Sequence, residues 1–312
     1  MNHPEKKYDV IIVGGGPAGL SAGIYTGRAR LRSLLIDKAP PGGRIIDSES
    51  VENYPGFPEG ISGLELTELM TKQAAKFGLE ILTVGVTGLE LKDKQRIVKT
   101  TEGDFVARTV IIAAGSDHVQ LGVPGEKEFT GKGVSYCATC DAYFHRDKPV
   151  AVVGGGNAAV HEALQLTKFA SKITLIHRRG ELRATRIVQE NAFAEPKIKL
   201  LWNTVVEAVE GESMVERLRL RNVLTKDKSA LDISGVFVAI GLKPSTDCFK
   251  EVLPLDNAGF IVTNEKMETG ISGIFAAGDI RANSIRQVIS AAGDGAVAAI
   301  SAEKLLTTKV TG

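Results

Sequence analysis

The chain has 312 residues, 43% of them hydrophobic and 24% charged, with 38 basic against 37 acidic side chains. That length accommodates two domains with separate cores, and the even charge balance sets up no field that would draw in nucleic acid or an anionic membrane. Three cysteines make no secreted disulfide framework, and no apolar run reaches the roughly 18 residues of a membrane-crossing helix.

The polar start, Met1-Asn2-His3-Pro4-Glu5-Lys6-Lys7, lacks a signal peptide's apolar stretch, so a cytoplasmic protein is expected. Tyr8–Val13 is a β-branched run that ends in Gly14-Gly15-Gly16-Pro17-Ala18-Gly19. A helical stretch through Ala22 and Tyr25 and a second apolar run, Ser33-Leu34-Leu35-Ile36-Asp37, complete a βαβ unit. Glycines at these spacings let the turn tighten and let a pyrophosphate reach the helix N-terminus, where N–H groups and the dipole favour an anion. Asp37 stands 23 residues after Gly14, at the strand end, where a carboxylate accepts from a ribose hydroxyl. Strand, glycines, helix and acid together predict a site for a cofactor with a free ribose 2′-hydroxyl, such as FAD; the competing reading is a purely structural turn. Residues 38–63, rich in Gly, Pro and Ser, read as a long loop of the kind that is usually functional. A helix over 63–77 and β-rich segments follow, up to Val110-Ile111-Ile112-Ala113-Ala114-Gly115.

Cys137-Ala138-Thr139-Cys140 comes next. Two thiols at this spacing are a redox pair, half a metal site or two inert buried groups. A metal needs two further ligands, whereas Cys248 stands alone and the five histidines are scattered. In a redox pair one thiol's pKa is typically lowered, which supplies a thiolate for exchange. Asp141 follows directly, placed to move a proton to or from a leaving thiolate or to cap a turn.

Pro149–Val153 opens a second unit of the same design, with Gly154-Gly155-Gly156, Ala159 in the sixth place, a helix over 157–168 and a strand over 173–177. Gly154 follows Gly14 by 140 residues, so the nucleotide-binding unit is duplicated; solenoid repeats are much shorter. The same 23-residue offset now falls on His177, followed by Arg178, Arg179 and Arg183. Cations replace the acid, which suits the 2′-phosphate of NADPH through charge-assisted hydrogen bonds; the competing reading is a solvated basic strand end. A strand over 236–240 ends this unit. The tail adds a strand over 273–277, Gly278-Asp279 and a helix over 284–306 rich in small residues. The tail is expected to complete the first domain, with the second inserted at crossings near Ser116-Asp117 and Lys243-Pro244. The fold class is therefore α/β, with two Rossmann-like domains: residues 1–116 and 245–312 for FAD, and 117–244 for NADPH and the dithiol.

With these motifs in order, the chain resembles the low-molecular-weight thioredoxin reductases of bacterial and archaeal type. Val51-Glu52-Asn53-Tyr54-Pro55-Gly56, Cys137-Ala138-Thr139-Cys140-Asp141, His177-Arg178-Arg179 with Arg183, Phe275-Ala276-Ala277-Gly278-Asp279 and Arg286-Gln287-Val288 extend the resemblance over nearly the whole length. It implies that NADPH reduces FAD, FAD reduces the Cys137–Cys140 disulfide, and the dithiol reduces thioredoxin. Cys140 would be the flavin-proximal sulfur, Cys137 the attacking thiolate and Asp141 the acid/base. The first domain's cofactor contacts would be Gly14, Gly16, Pro17, Ala18, Asp37, Lys38, Gly43, Arg44, Asn53, Ala113, Gly115, Gly278, Asp279, Arg286, Gln287 and Val288. Those of the second would be Gly154, Gly156, Asn157, Ala158, His177, Arg178, Arg179, Arg183, Ile240 and Gly241, with no metal. The resemblance also implies a homodimer and a hinge at the crossings. Arg44 and Val288 depart from the commoner Gln and Ala. Open alternatives are a related flavin disulfide reductase with a different redox protein or electron donor, and a redox sensor without turnover.

Overall fold

In the computed structural model, which describes residues 7–48, 50–93 and 95–308, the chain divides into two units. One takes the residues up to Asp117 together with those from Lys243 onward, and the other runs from His118 to Leu242. The first begins with β1 (Lys7–Val13), α1 (Pro17–Arg28), β2 (Ser33–Asp37), α2 (Gly63–Lys76), β3 (Glu80–Thr83), β4 (Val86–Lys92), β5 (Gln95–Thr100) and β6 (Gly103–Ile112). The order across the sheet is β3-β2-β1-β6-β5-β4. The pairs joining β3, β2, β1 and β6 are parallel, and β4, β5 and β6 form an antiparallel meander. Val10, Ile11 and Ile12 of β1 are fully buried, the pattern of a central parallel strand covered on both faces. Ser62 starts α2 by accepting the Glu65 N–H on its hydroxyl at 3.1 Å, with Glu65 in the favoured first turn. The segment between β2 and α2 is not featureless. It holds a 3₁₀ turn over Gly43–Asp47 and a bridge in which Val51 and Ile61 exchange backbone hydrogen bonds.

The crossing strand β7 (Ser116–His118) leads to β8 (Val134–Ser135), α3 (Ala138–Asp141), β9 (Pro149–Val153), α4 (Asn157–Leu166), β10 (Lys172–Ile176), α5 (Arg186–Ala194) and β11 (Ile198–Leu201). The meander β12 (Thr204–Glu210), β13 (Arg217–Asn222) and β14 (Lys228–Asp232) precedes β15 (Gly235–Val238) and the returning strand β16 (Leu242–Pro244), which pairs with β7. The parallel sheet runs β11-β10-β9-β15-β8. Strand for strand this repeats the first unit, with β9, β10, β11 and β15 standing for β1, β2, β3 and β6.

After β16 the chain supplies β17 (Ile274–Ala276) and α6 (Val288–Thr308) to the first unit. β17 lies parallel to the end of β6, with Ile274 opposite Val110. α6 packs on α1, and the small residues permit very close approach: a Cβ on Gly295 would run into the Ala18 carbonyl. The expected start of this helix at residue 284 is corrected to Val288. Asn283 and Arg286 both stand at φ +61°, a left-handed conformation that cannot continue a right-handed helix. Among the described residues no helix is long and apolar enough to cross a membrane.

Candidate functional site

The first glycine turn spans the three residues between β1 and α1. Gly14, at φ +109°, lies so close to the end of β6 that a Cβ would strike the Ala113 carbonyl. The Asp37 carboxylate accepts the Gly15 N–H at 2.6 Å on one oxygen and the Ala39 N–H at 3.1 Å on the other, which holds it at the strand end. Pro17 takes the first turn of α1, where its missing N–H costs nothing. Gly16 caps the helix without a side-chain hydrogen bond, and no acid occupies the first turn. A Cβ on Gly16 would find nothing nearer than the Gly43 Cα at 3.9 Å. The helix end is thus uncapped by side chains, free of acids in its first turn and spacious, so it fits a pyrophosphate.

Residues distant in sequence gather in the same unit. Asn53 Nδ2 donates to Gln287 Oε1 at 3.1 Å, and Arg44 Nη1 donates to the Ser116 carbonyl at 2.6 Å. Asp279 accepts the Ser284 hydroxyl at 3.2 Å. Burial pushes its carboxyl up, while Ser284, Arg44 and Arg286 pull it down. Gly278 follows β17 at φ +75° and donates its N–H to Asp294 at 3.1 Å, and the Arg286 guanidinium sits 5.3 Å from the Phe260 ring centre. The buried Ser116 hydroxyl has no partner among the described residues, and Gly115, at φ +66°, faces open space. An orphaned buried donor and an open backbone fit a bound polar group such as FAD. Lys38 is exposed beyond Asp37, and Val288 is half-buried at the start of α6.

The second turn repeats the backbone and changes the chemistry. A Cβ on Gly154 would strike the Ala239 carbonyl, as one on Gly14 would strike Ala113, while Gly156 has nothing within 4 Å. α4 likewise begins without a side-chain cap or a first-turn acid. Asn157 Oδ1 accepts the Thr185 N–H at 2.8 Å, and the Gly155 carbonyl accepts the Arg183 N–H at 2.6 Å, tying the arginine segment to the turn. Ala158 follows Asn157 on the exposed side of α4. Ile240 and Gly241, the latter at φ +137°, follow β15.

His177 is corrected here. The sequence groups it with the cations, but its side chain is 5% exposed and fills the space beneath Gly155, where any Cβ would collide with the ring. Burial, then the fields of Arg183, Arg179 and Arg178, push its pKa down, so the ring is neutral. Its Nε2 is buried with no partner among the described residues. Arg178, Arg179 and Arg183 are all exposed and, among the described residues, in no ion pair with a carboxylate.

The dithiol belongs to the second unit. Cys137 and Cys140 are disulfide-bonded with Cα atoms 5.4 Å apart. Cys137 caps α3, its sulfur accepting the Cys140 N–H at 3.2 Å; Cys137 is half-buried and Cys140 exposed. Thr139, between them, exchanges hydrogen bonds with Gln165 of α4 at 3.2–3.3 Å. Burial pushes the Asp141 carboxyl up, and a hydrogen bond from Ser135 partly opposes that shift.

Two glycine turns and a surface disulfide in this arrangement are matched by the family model for pyridine nucleotide-disulphide oxidoreductases, which covers residues 8–295. The chain belongs to this family. Among relatives of this oxidoreductase, the thioredoxin reductase of Bacillus subtilis is 47% identical, covering 96% of this chain and 95% of its own. That of Treponema pallidum is 46% identical over 97% and 99%. The crystal structure of thioredoxin reductase from Streptococcus pyogenes superposes with a TM-score of 0.94 at 40% identity, covering 98% of this chain and 100% of that one. Motif reading of the oxidoreductase missed Ser135, the Asn157–Thr185 contact and the Arg281–Asp294 ion pair (2.6 Å). None carries a spacing signature; a serine two residues before a cysteine pair is the only sequence trace the first leaves.

Proposed function

We propose that this oxidoreductase is a thioredoxin-disulfide reductase, with FAD held by the first unit, NADPH by the second, and electrons leaving through Cys137 and Cys140. The observation that carries the reading is the surface disulfide with aromatic neighbours. Tyr143 and Phe144, just past the pair, are 57% and 44% exposed beside the exposed Cys140. Exposed aromatic rings next to a reactive sulfur suit a protein partner better than a small thiol. The names of the relatives support the same acceptor.

Bound FAD supplies two-electron exchange between the nicotinamide and the disulfide. The α1 N-terminus and Asp37 would hold its pyrophosphate and ribose, and the Asp279, Arg286 and Asn53–Gln287 group its other end. Arg178, Arg179 and Arg183 would grip the 2′-phosphate of NADPH. In the dithiol form, the Cys137 thiolate attacks one sulfur of the partner's disulfide; that S–S bond breaks and one partner thiolate leaves, taking up a proton. Cys140 then attacks the Cys137 sulfur, re-forms the internal disulfide and releases the second partner thiolate. Two electrons and two protons leave with the partner. Asp141 keeps Oδ1, the oxygen not engaged by Ser135, for proton exchange with a cysteine sulfur. The crossings β7 and β16 are the pivot in this reading, and a homodimer in the cytoplasm is part of the same proposal.

Anaerobic titration with NADPH followed by thioredoxin tests it. The expected result is bleaching of the flavin and then thiols on thioredoxin. Cys137→Ser keeps the bleaching and loses thiol production by a factor on the order of a thousand or more. Thiols appearing only with another redox protein, or only with NADH or reduced ferredoxin as donor, overturn the assignment.

A further inference from the structure

Building on that reading, we propose that Ser135 is a positioning residue for the acid/base step, its hydroxyl locking the Asp141 carboxyl to the backbone of Cys137. Ser135 ends β8, is 4% exposed, and is anchored because β8 pairs with β15, Phe237 lying opposite it. Its oxygen has three neighbours: Asp141 Oδ2 at 2.5 Å, the Cys137 N–H at 3.1 Å and the Cys137 carbonyl at 3.4 Å. A hydroxyl has one hydrogen and two lone pairs. At 2.5 Å the hydrogen goes to the carboxylate, the separation of a charge-assisted O–H···O⁻ bond, and a lone pair takes the Cys137 N–H. When Asp141 is protonated, the roles reverse. The carboxyl then donates to the serine oxygen, and the serine hydrogen turns to the Cys137 carbonyl. One side chain therefore holds the carboxyl in place in both of its protonation states and keeps it registered to the residue that attacks the partner.

Among the described residues Ser135 is the side chain hydrogen-bonded to the Asp141 carboxyl. α4 and the turn over Ala142–His145 pack most closely on α3, and β9 and β15, which share its core, bring no titratable side chain. The titratable groups of α4 and the turn are His161, Glu162, Tyr143 and His145, and the forces acting on the Asp141 carboxyl are its burial and the Ser135 hydrogen bond. Because that bond favours the ionised form, its removal moves the Asp141 titration to higher pH.

The test compares the wild type with Ser135→Ala, Ser135→Thr, Asp141→Asn and Ser135→Ala/Asp141→Asn as flavin-loaded proteins. It follows thioredoxin reduction and, separately, the appearance of enzyme thiols under NADPH, both across pH. Ser135→Ala is expected to shift the Asp141-dependent limb of both profiles to higher pH and to slow turnover by about 10- to 100-fold, with KM for NADPH unchanged. Ser135→Thr keeps the hydroxyl and holds the wild-type limb. The double variant matches Asp141→Asn alone, since Ser135 acts through Asp141. An unmoved limb in Ser135→Ala, or additive losses in the double variant, overturns the proposal. If thioredoxin is not reduced while enzyme thiols still form, the acceptor assignment falls, and the thiol-formation profile still decides the role of Ser135.

Discussion

The two glycine turns share a backbone and differ in what lies beneath it. Under the first, Asp37 takes the Gly15 N–H on a fixed carboxylate; under the second, the ring of His177 fills the equivalent place, and Arg178, Arg179 and Arg183 beyond it are exposed. Both turns press their leading glycine on a neighbouring carbonyl, Ala113 or Ala239, and both helices begin without side-chain caps. On the proposed function, pyrophosphate binding would rest on the shared backbone, and the choice of nucleotide on the residue that ends the second strand and on those just after it.

The most disruptive test of this contrast substitutes the matched glycines. Gly14→Val and Gly154→Val each force a side chain on a backbone carbonyl at a positive or extended-positive φ. Gly14→Val is expected to yield protein without bound flavin. Gly154→Val keeps its yellow colour and raises KM for NADPH by about 100-fold or more. Flavin loss from both, measured by absorbance of the purified proteins, breaks the division of labour. A smaller change sharpens it: Arg178→Ala or Arg179→Ala lowers the preference for NADPH over NADH by about 10- to 100-fold, the worth of one charge-assisted hydrogen bond, without changing flavin content. Unchanged discrimination in steady-state kinetics with both nucleotides would remove the 2′-phosphate assignment.

The smallest effect is on stability in mild acid. Among the described residues every histidine, namely His118, His145, His161 and His177, lies in the second unit. Burial against Gly235 and Phe237 pushes His145 down to about 4 from 6.5. At this residue the unfolded chain therefore binds the proton first as pH falls below 6.5, and the contribution of His145 to stability is lost between pH 6.5 and 4. By pH 5.5 the loss is about 1 kcal/mol. Trp202, the sole tryptophan, reports the second unit, and flavin release reports the first. Because Glu162, pushed up to about 7 by burial, and His177, pushed down, titrate in the same unit, the readout is a difference: by the tryptophan signal His145→Gln should lose less stability than the wild type between pH 6.5 and 4, and equal losses would remove this role.

The duplication was legible because each βαβ unit advertises itself locally: a β-branched run, a glycine turn, an amphipathic helix, a second apolar run. The offset of 23 residues places Asp37 and His177 at equivalent strand ends, but an offset carries no burial, so it cannot tell an exposed cation from a ring packed beneath Gly155. The start of α6 was lost for a related reason. Ser284 to Gln287 contains no proline or glycine, and only the backbone reveals that Arg286 adopts a left-handed turn. Ser135 was invisible because a hydroxyl acquires meaning from the two groups it joins, Asp141 and the Cys137 N–H, and only folding brings the three together.

The grip of α6 on α1 has a consequence for how each molecule is made. α1, proposed to hold the pyrophosphate, comes early in the sequence, yet the surface it packs against arrives only with Val288–Thr308. On the ribosome the inserted unit, His118–Leu242, is complete before its host can close. Flavin loading is therefore a late event in the life of each chain. A polypeptide released before residue 288 would carry a finished inserted unit and a host unit that still lacked its closing helix.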